Sequence, residues 1–411
     1  MSLPVSSQQS EVRDKGYAAL FENQAVFLTG STGSLGGCLL YKLALQLPTR
    51  RIFVLIRGSP QLATEKWRKL MPDQTDAILN TKKIHFVVGD IKTTGFGIDA
   101  ADLKQLQEQV TLVIHAAAQI SLDSDIRDAI EDNCLPALEL AGIASQFRHL
   151  KLFVQISTAY ANSFMPDGYV GERLYAASDQ DPEDELASIL SSGSSPHVDR
   201  FSSRYAQAKH LMERLLRKQY PLLPLLLVRP TIFGGAMRDP YPIYGPENST
   251  PMTKFARFYL ADQGMQVWHA AQGYKSGANI LDEIPVDFVA NACLLHAAAK
   301  TLGVVHVGSQ LYVQLTFDDF LHIVDCTASP EMRNELPTVV YTEDRTAPQS
   351  FLAELVKVGT RNWQFDCGRS YWLKQVGGPL NLHACKHEAD SLNSARMRDI
   401  YRRNRERSAR L

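Results

Sequence analysis

A short apolar strand that runs through a glycine-rich turn into an apolar helix constrains this chain more than any other feature. Val26-Phe27-Leu28-Thr29 leads into Gly30, Gly33 and Gly36, with helical patterning from Leu35. The glycines differ in what they make possible. Gly30 permits a tight turn, Gly33 lets backbone approach a pyrophosphate, and Gly36 allows the helix to pack closely on the strand. The helix N-terminus adds amides and positive potential, so Thr29, Thr32, Ser34 and Leu35 fall where a dinucleotide diphosphate is held.

The chain around this unit repeats its logic. Apolar runs at 25–29, 51–56, 84–88, 111–115, 151–157 and 222–228 read as buried strands, separated by helical stretches at 35–47, 62–70, 101–109, 126–147 and 203–220. This alternation predicts an α/β fold, a Rossmann-type doubly wound parallel sheet with a smaller, mostly helical substrate lobe. The polar stretch 164–201 reads as a long surface excursion with a short helix near 183–190. A second break, 234–251, holds Pro240, Pro242, Pro246 and Pro251 and opens the substrate lobe. The expected division is a dinucleotide-binding domain over 1–235, completed by about 279–308. The substrate lobe and C-terminal region then take 236–278 and 309–411.

Composition excludes some partners. A formal net charge of -1 over 411 residues gives no global field for nucleic acid or an anionic membrane, so the expected partner is a small molecule. The six cysteines form no CxxC pair, which suits a reducing compartment without disulfides. His383-Ala-Cys385-Lys-His387 lacks a second ligand cluster, and no metal is expected. Residues 1–10 carry no basic-then-apolar leader and no run is long enough for a membrane span, so a soluble protein is expected. The stretch 396–411 has seven arginines against two acids and reads as a solvated helix or frayed tail rather than an anion-binding site.

The chemistry starts at Tyr205-Ala-Gln-Ala-Lys209. Of 15 tyrosines, only Tyr205 has a lysine four residues later. On a helix such residues share a face at about 5–6 Å between Cβ atoms, so the Lys209 ammonium is expected to favour the Tyr205 phenolate. The pair can then exchange a proton with a reacting oxygen. Ile156-Ser157-Thr158 ends the fifth strand, where ligands of such folds bind; Thr158 either donates to a carbonyl oxygen or satisfies its own backbone. The second strand runs into Arg57 where an NAD site usually has an acid, and a guanidinium suits a 2′-phosphate, so NADPH is the expected cofactor. Gly89-Asp90-Ile91 places Asp90 by the adenine or forms a simple turn. Ala116, Ala117 and Ala118 offer small side chains where a flat cofactor passes, after a His115 that reads as a satisfied core histidine.

Taken in order, Phe27 to Gly36, Gly89-Asp-Ile, Val113-Ile-His-Ala-Ala-Ala, Ile156-Ser-Thr-Ala-Tyr, Tyr205 to Lys209, Val228-Arg-Pro-Thr-Ile and Ile284-Pro-Val-Asp287-Phe-Val-Ala-Asn291 carry a family likeness. The chain resembles the extended short-chain dehydrogenase/reductases and, within them, the fatty acyl-CoA reductases and thioester reductases. The wide gap between Thr158 and Tyr205 favours these over sugar epimerases. The resemblance implies a catalytic triad of Thr158, Tyr205 and Lys209, with Asn133 supporting a proton relay. It also implies that Lys209 touches the cofactor, and that Pro230, Thr231 and Ile232 flank the nicotinamide. The implied reaction is NADPH-dependent reduction of an acyl-CoA or carrier-protein acyl thioester to the aldehyde, or on to the alcohol. Two alternatives stay open: a reductase, dehydrogenase or epimerase of a free carbonyl or nucleotide sugar, and a non-catalytic dinucleotide sensor or scaffold. The chain departs from the family at Cys134-Leu-Pro136 after Asn133 and at Ser203-Arg204 before Tyr205, and the C-terminal domain is recognisable only at Trp363-Gln-Phe-Asp366. Ala409-Arg410-Leu411 fits a relaxed peroxisomal address, which in a eukaryote sets a peroxisomal beside a cytoplasmic location.

Overall fold

The computed structural model describes residues 9, 12, 16–120, 124–246, 250–261, 264–334, 336–350, 352–353 and 361–408; the 409–411 tripeptide and the first eight residues lie outside them. The first half runs β1 (Ala25–Thr29), α1 (Ser34–Tyr41), β2 (Arg51–Ile56), α2 (Pro60–Leu70), β3 (Ile84–Val88), α3 (Ala100–Gln109), β4 (Leu112–His115), α4 (Ile126–Asn133), α5 (Leu135–Ala144) and β5 (Leu152–Ile156). Then come β6 (Gly168–Val170), α6 (Pro182–Ser192), α7 (Arg204–Gln219), β7 (Leu225–Pro230), β8 (Ile232–Gly234), α8 (Pro251–Ala261), β9 (Met265–His269), β10 (Ile280–Leu281) and β11 (Glu283–Pro285). The remainder holds α9 (Val286–Ala298), β12 (Gly303–Val307), β13 (Leu315–Thr316), α10 (Phe317–Thr327), β14 (Thr338–Thr342), β15 (Trp363–Phe365) and α11 (Lys386–Ser408).

Seven parallel strands form the main sheet in the order β12-β7-β5-β4-β1-β2-β3. The order reverses between β1 and β4, where Val26 pairs with Leu112 and Thr29 with His115. That reversal opens a crevice at the carboxyl ends of the strands. Because helices cover both faces, β1, β5 and β7 are buried at every residue, which explains sequences that are apolar apart from Thr29, Gln155 and Arg229. One face packs on α1 and α9 through Cys38, Leu39, Leu43, Phe288 and Leu294. The other packs on α4, α5 and α7 through Ile130, Leu140, Leu211 and Leu215. Truncating one of these buried leucines to alanine costs about 2–5 kcal/mol. A separate core of Met252, Phe255, Trp268, Phe320 and Met397 joins α8, β9, α10 and α11.

The stretch 126–147 is two helices rather than the single helix its periodicity suggests. Pro136 sits in the first turn of α5, where its missing amide is tolerated, but it cannot continue the hydrogen bonds of α4. Among the described residues, no helix is long and apolar enough to cross a membrane.

The excursion after β5 contains α6 near the expected helix, and it also contains β6. This strand pairs in parallel with β15, Gly168 opposite Trp363 and Val170 opposite Phe365. Beside it, the Glu172 carboxylate accepts the amides of His306 (2.8 Å) on β12 and Arg369 (2.7 Å). These contacts cover the free side of an edge strand that would otherwise present unpaired amides. Burial pushes the Glu172 carboxyl up to about 7, outweighing the pull of both amides. A carboxyl raised on folding contributes stability that is complete below its ordinary value near 4.5 and is lost as pH climbs through about 7. The wild-type unfolding free energy is therefore expected to fall, relative to Glu172→Gln, between those pH values. Urea midpoints measured across the window check this, and parallel curves would remove the assignment.

Candidate active site

The turn between β1 and α1 is shaped by what cannot fit. Gly30 has φ +77°, and a Cβ there would lie 2.6 Å from the Ala117 amide nitrogen. A Cβ on Gly36 would lie 2.0 Å from the Gly30 carbonyl oxygen. The Gly33 amide closes the turn on the Gly30 carbonyl at 2.9 Å. Gly33 is also the N-cap of α1, so no side chain caps the first turn and its amides point outward. Within the loop, Ser31 Oγ and Ser34 Oγ are buried without a hydrogen-bond partner among the described residues. Uncapped amides, two orphaned hydroxyls and a backbone cradle that excludes a Cβ fit a diphosphate group.

The carboxyl end of β4 closes this cradle. Thr29 Oγ1 bonds His115 Nδ1 at 2.7 Å and accepts the Ala117 amide at 3.2 Å. Burial, with the nearby Lys209 charge, holds the His115 ring down at about 3, so it is a neutral core histidine. Arg57 lies exposed just past the end of β2. Asp90 Oδ1 accepts the Lys92 amide at 3.0 Å in a turn after β3, and Ile91 packs on the α4/α5 core.

The groups expected to react gather at the end of β5. The Lys209 side chain is buried, and its Nζ donates to the Ile156 carbonyl at 3.1 Å, an oxygen that also accepts Gln155 Nε2 at 2.9 Å. Thr158 lies two residues beyond Ile156, and its Oγ1 accepts the Tyr160 amide at 3.3 Å. That contact uses an oxygen lone pair and leaves the O–H as the donor side of the group. Lys209 Nζ stands 5.7 Å from the centre of the Tyr205 ring. Burial raises the Tyr205 phenol above its ordinary range and lowers Lys209 to about 8. Burial is the one influence on the half-buried phenol and moves it away from the phenolate that the helical spacing suggests, while Lys209 Nζ is engaged by the Ile156 carbonyl. Asn133 binds backbone, with Oδ1 accepting the Gln119 amide (3.0 Å) and Nδ2 donating to the Gln119 and Ala129 carbonyls (3.1 and 3.2 Å).

Beyond β7, the Thr231 amide donates to Val307 and the Ile232 amide to Asp282, at 3.1 and 3.0 Å, fixing the segment after Pro230. The 234–251 stretch folds back onto α1. Tyr244 is fully buried and donates to the Ser34 carbonyl at 3.0 Å, Lys42 pairs with Asp239 at 2.8 Å, and the Asp287 carboxylate accepts the amides of Met237, Arg238 and Asp239. Glu213 escaped the sequence reading, and Arg229 was read only within the Val228–Ile232 motif; the two form a buried ion pair. The available signals were a charged residue inside an apolar strand and an acid one turn after the lysine.

Comparison with known proteins adds an independent line. Residues 28–293 match the male sterility protein family. The chain is 26% identical over 303 residues to fatty acyl-CoA reductase 1 of Xenopus laevis and 27% identical over 304 residues to fatty acyl-CoA reductase 1 of Gallus gallus. Each match covers 69% of this chain and 56% of the relative, so the chain spans little more than half of their length. Among solved structures, the terminal R domain of the myxalamid PKS-NRPS pathway superposes with a TM-score of 0.65 at 20% identity, covering 93% of this chain and 91% of that one. Yeast methylglyoxal/isovaleraldehyde reductase Gre2 with NADPH gives 0.59 at 16%, covering 92% and 100%. UDP-glucuronic acid 4-epimerase of Bacillus cereus with NAD gives 0.58 at 16%, covering 92% and 98%. These likenesses establish the fold.

Proposed function

The chain belongs to the male sterility protein family, and from that premise we propose that it is an NADPH-dependent reductase of acyl thioesters carried on CoA or on a carrier protein. The observation that carries this reading is the buried Lys209 beneath Tyr205, tied through the Ile156 carbonyl to the strand end that bears Thr158. Relatives named as fatty acyl-CoA reductases support the thioester as substrate.

When bound, a reduced nicotinamide supplies the hydride that goes to the thioester carbonyl carbon. The Ser31 and Ser34 hydroxyls and the α1 amides would hold its diphosphate, and Pro230, Thr231 and Ile232 would flank its ring. Tyr205 donates its phenolic proton to the carbonyl oxygen while the Thr158 hydroxyl steadies the developing charge. The buried Lys209 ammonium lowers the cost of the negative charge left on Tyr205. Collapse of the tetrahedral adduct releases a thiol and an aldehyde, and one hydride and one proton are consumed.

The test is an acyl-pantetheine thioester offered with NADPH. Oxidation of one NADPH per thiol released is expected for an aldehyde product, and two per thiol for an alcohol. Turnover of free aldehydes, ketones or nucleotide sugars without thiol release would overturn the reading.

Arg57 is the basis for choosing NADPH over NADH. A charge-assisted contact with a 2′-phosphate is worth about 1.5–3 kcal/mol, or roughly 10–100-fold in affinity. Arg57→Ala is expected to weaken NADPH binding by that factor and leave NADH binding nearly unchanged, as nucleotide fluorescence titrations would record. Equal losses for both cofactors would move the 2′-phosphate elsewhere.

A further inference from the structure

Glu213 stands one helical turn after Lys209 on α7, within the roughly 5–6 Å Cβ spacing of such neighbours. It is fully buried and pairs two-pronged with Arg229, Oε1 receiving Nε at 2.8 Å and Oε2 receiving Nη2. Arg229 is equally buried on β7, immediately before Pro230, and its Nη1 donates to the Arg173 carbonyl at 2.9 Å, at the root of the long excursion. A buried ion pair is seldom a strong source of stability, because desolving both charges offsets their attraction. Its placement therefore calls for another account.

We infer that the Glu213–Arg229 pair is a positioning device for Lys209: the carboxylate, itself fixed by the guanidinium, keeps the lysine charged inside the protein and aimed at the end of β5. This rests on the proposed reading of Lys209 as the cation beneath Tyr205. The groups facing Lys209 from each side leave Glu213 as its only anionic neighbour among the described residues. His115 on β4 is held neutral by burial. Cys134, between α4 and α5, has its thiol pushed up to about 12 by burial and is uncharged near neutral pH. Tyr205 is a protonated phenol. Burial drags Lys209 down to about 8, and Glu213 is the largest influence in the opposite direction.

Arg173 adds a spatial consequence. Because Arg229 grips both Glu213 and the Arg173 carbonyl, the excursion is fastened to the same charged pair that conditions Lys209.

The experiment compares wild type with Glu213→Gln and with the paired variant Glu213→Leu/Arg229→Met. The paired variant removes the carboxylate without stranding a buried guanidinium, so folding is protected if the single variant is unstable. The first readout is the pH profile of kcat/KM. Activity needs the Lys209 ammonium, so the alkaline fall is expected near pH 8 in wild type. It should move to lower pH in both variants, and further in Glu213→Gln, which leaves the Arg229 charge in place. The second readout is stability without cofactor, each protein referenced to the same protein carrying Lys209→Met. A lysine depressed on folding contributes stability that is present above its ordinary value near 10.5 and is lost as pH falls through its folded value. That loss begins near 10.5 in every protein and should run on to a pH lower than in wild type before it is complete in the variants. An unmoved alkaline limb and an unmoved stability curve, with activity merely scaled down, would overturn the inference. Absence of turnover on every carbonyl substrate would sink the proposed reaction instead, while the stability curves would still decide the role of Glu213.

Discussion

Tyr205→Phe is expected to lower turnover by about 10²–10⁴-fold while leaving NADPH affinity almost unchanged. Only the phenolic hydroxyl is removed, and the ring keeps its place over Lys209. Burial raises the phenol above its ordinary range, and Lys209 spends a hydrogen bond on the Ile156 carbonyl at 3.1 Å instead of on the phenolic oxygen. In the proposed reaction Tyr205 then acts as an acid, the form a carbonyl reduction requires. Because burial raises the Tyr205 phenol and lowers Lys209 to about 8, the alkaline limit of the proposed activity is expected to follow Lys209. Single-turnover measurements with a thioester and bound NADPH separate the chemical step from release. A Tyr205→Phe protein that turns over at the wild-type rate would remove the tyrosine from the mechanism. A Thr158→Val protein should lose less, since one hydrogen bond to the developing oxyanion is lost and the proton donor stays.

The features most legible in the sequence were those whose cause is local. Parallel strands covered on both faces are mostly apolar, so β1, β5 and β7 were readable as apolar runs despite the buried Gln155 and Arg229. The glycine turn was readable because close backbone approaches admit no Cβ. The Tyr205–Lys209 pair was readable from helical spacing. The proton state of that pair was not, because desolvation depends on packing by segments distant in sequence. Three-residue strands carry no periodicity, so nothing announced that Gly168–Val170 would pair with Trp363–Phe365 nearly two hundred residues later. Tyr244 was visible only as part of a proline-rich break, yet it is buried against α1 with its hydroxyl on the Ser34 carbonyl. Glu213 drew no reading at all, because its partner Arg229 arrives from β7, a strand further along the chain.

The glycine turn offers the second large effect, because two of its positions separate the demands of the fold from those of the ligand. At Gly36 an added Cβ would stand 2.0 Å from the Gly30 carbonyl oxygen and 2.5 Å from the carbonyl carbon, both backbone atoms. Neither can yield unless the turn opens and α1 lifts from β1. Gly36→Ala is therefore expected to destabilise the cofactor-free protein by about 1–3 kcal/mol and to abolish NADPH binding. At Gly33 the only neighbour of an added Cβ is the Gly30 oxygen at 3.4 Å, an ordinary contact, and φ is −95°. Gly33→Ala should unfold at nearly the wild-type denaturant concentration. Yet it places a methyl where the diphosphate approaches the loop, and NADPH affinity should fall by roughly tenfold or more, as for other groups forced into a filled contact. Denaturant midpoints without nucleotide, paired with NADPH titrations, distinguish the two variants. A Gly36→Ala protein as stable as wild type would mean that β1 and α1 are not packed this tightly. A Gly33→Ala protein that binds NADPH normally would mean that the diphosphate does not lie over Gly33, and the assignment of Ser31 and Ser34 to it would fall as well.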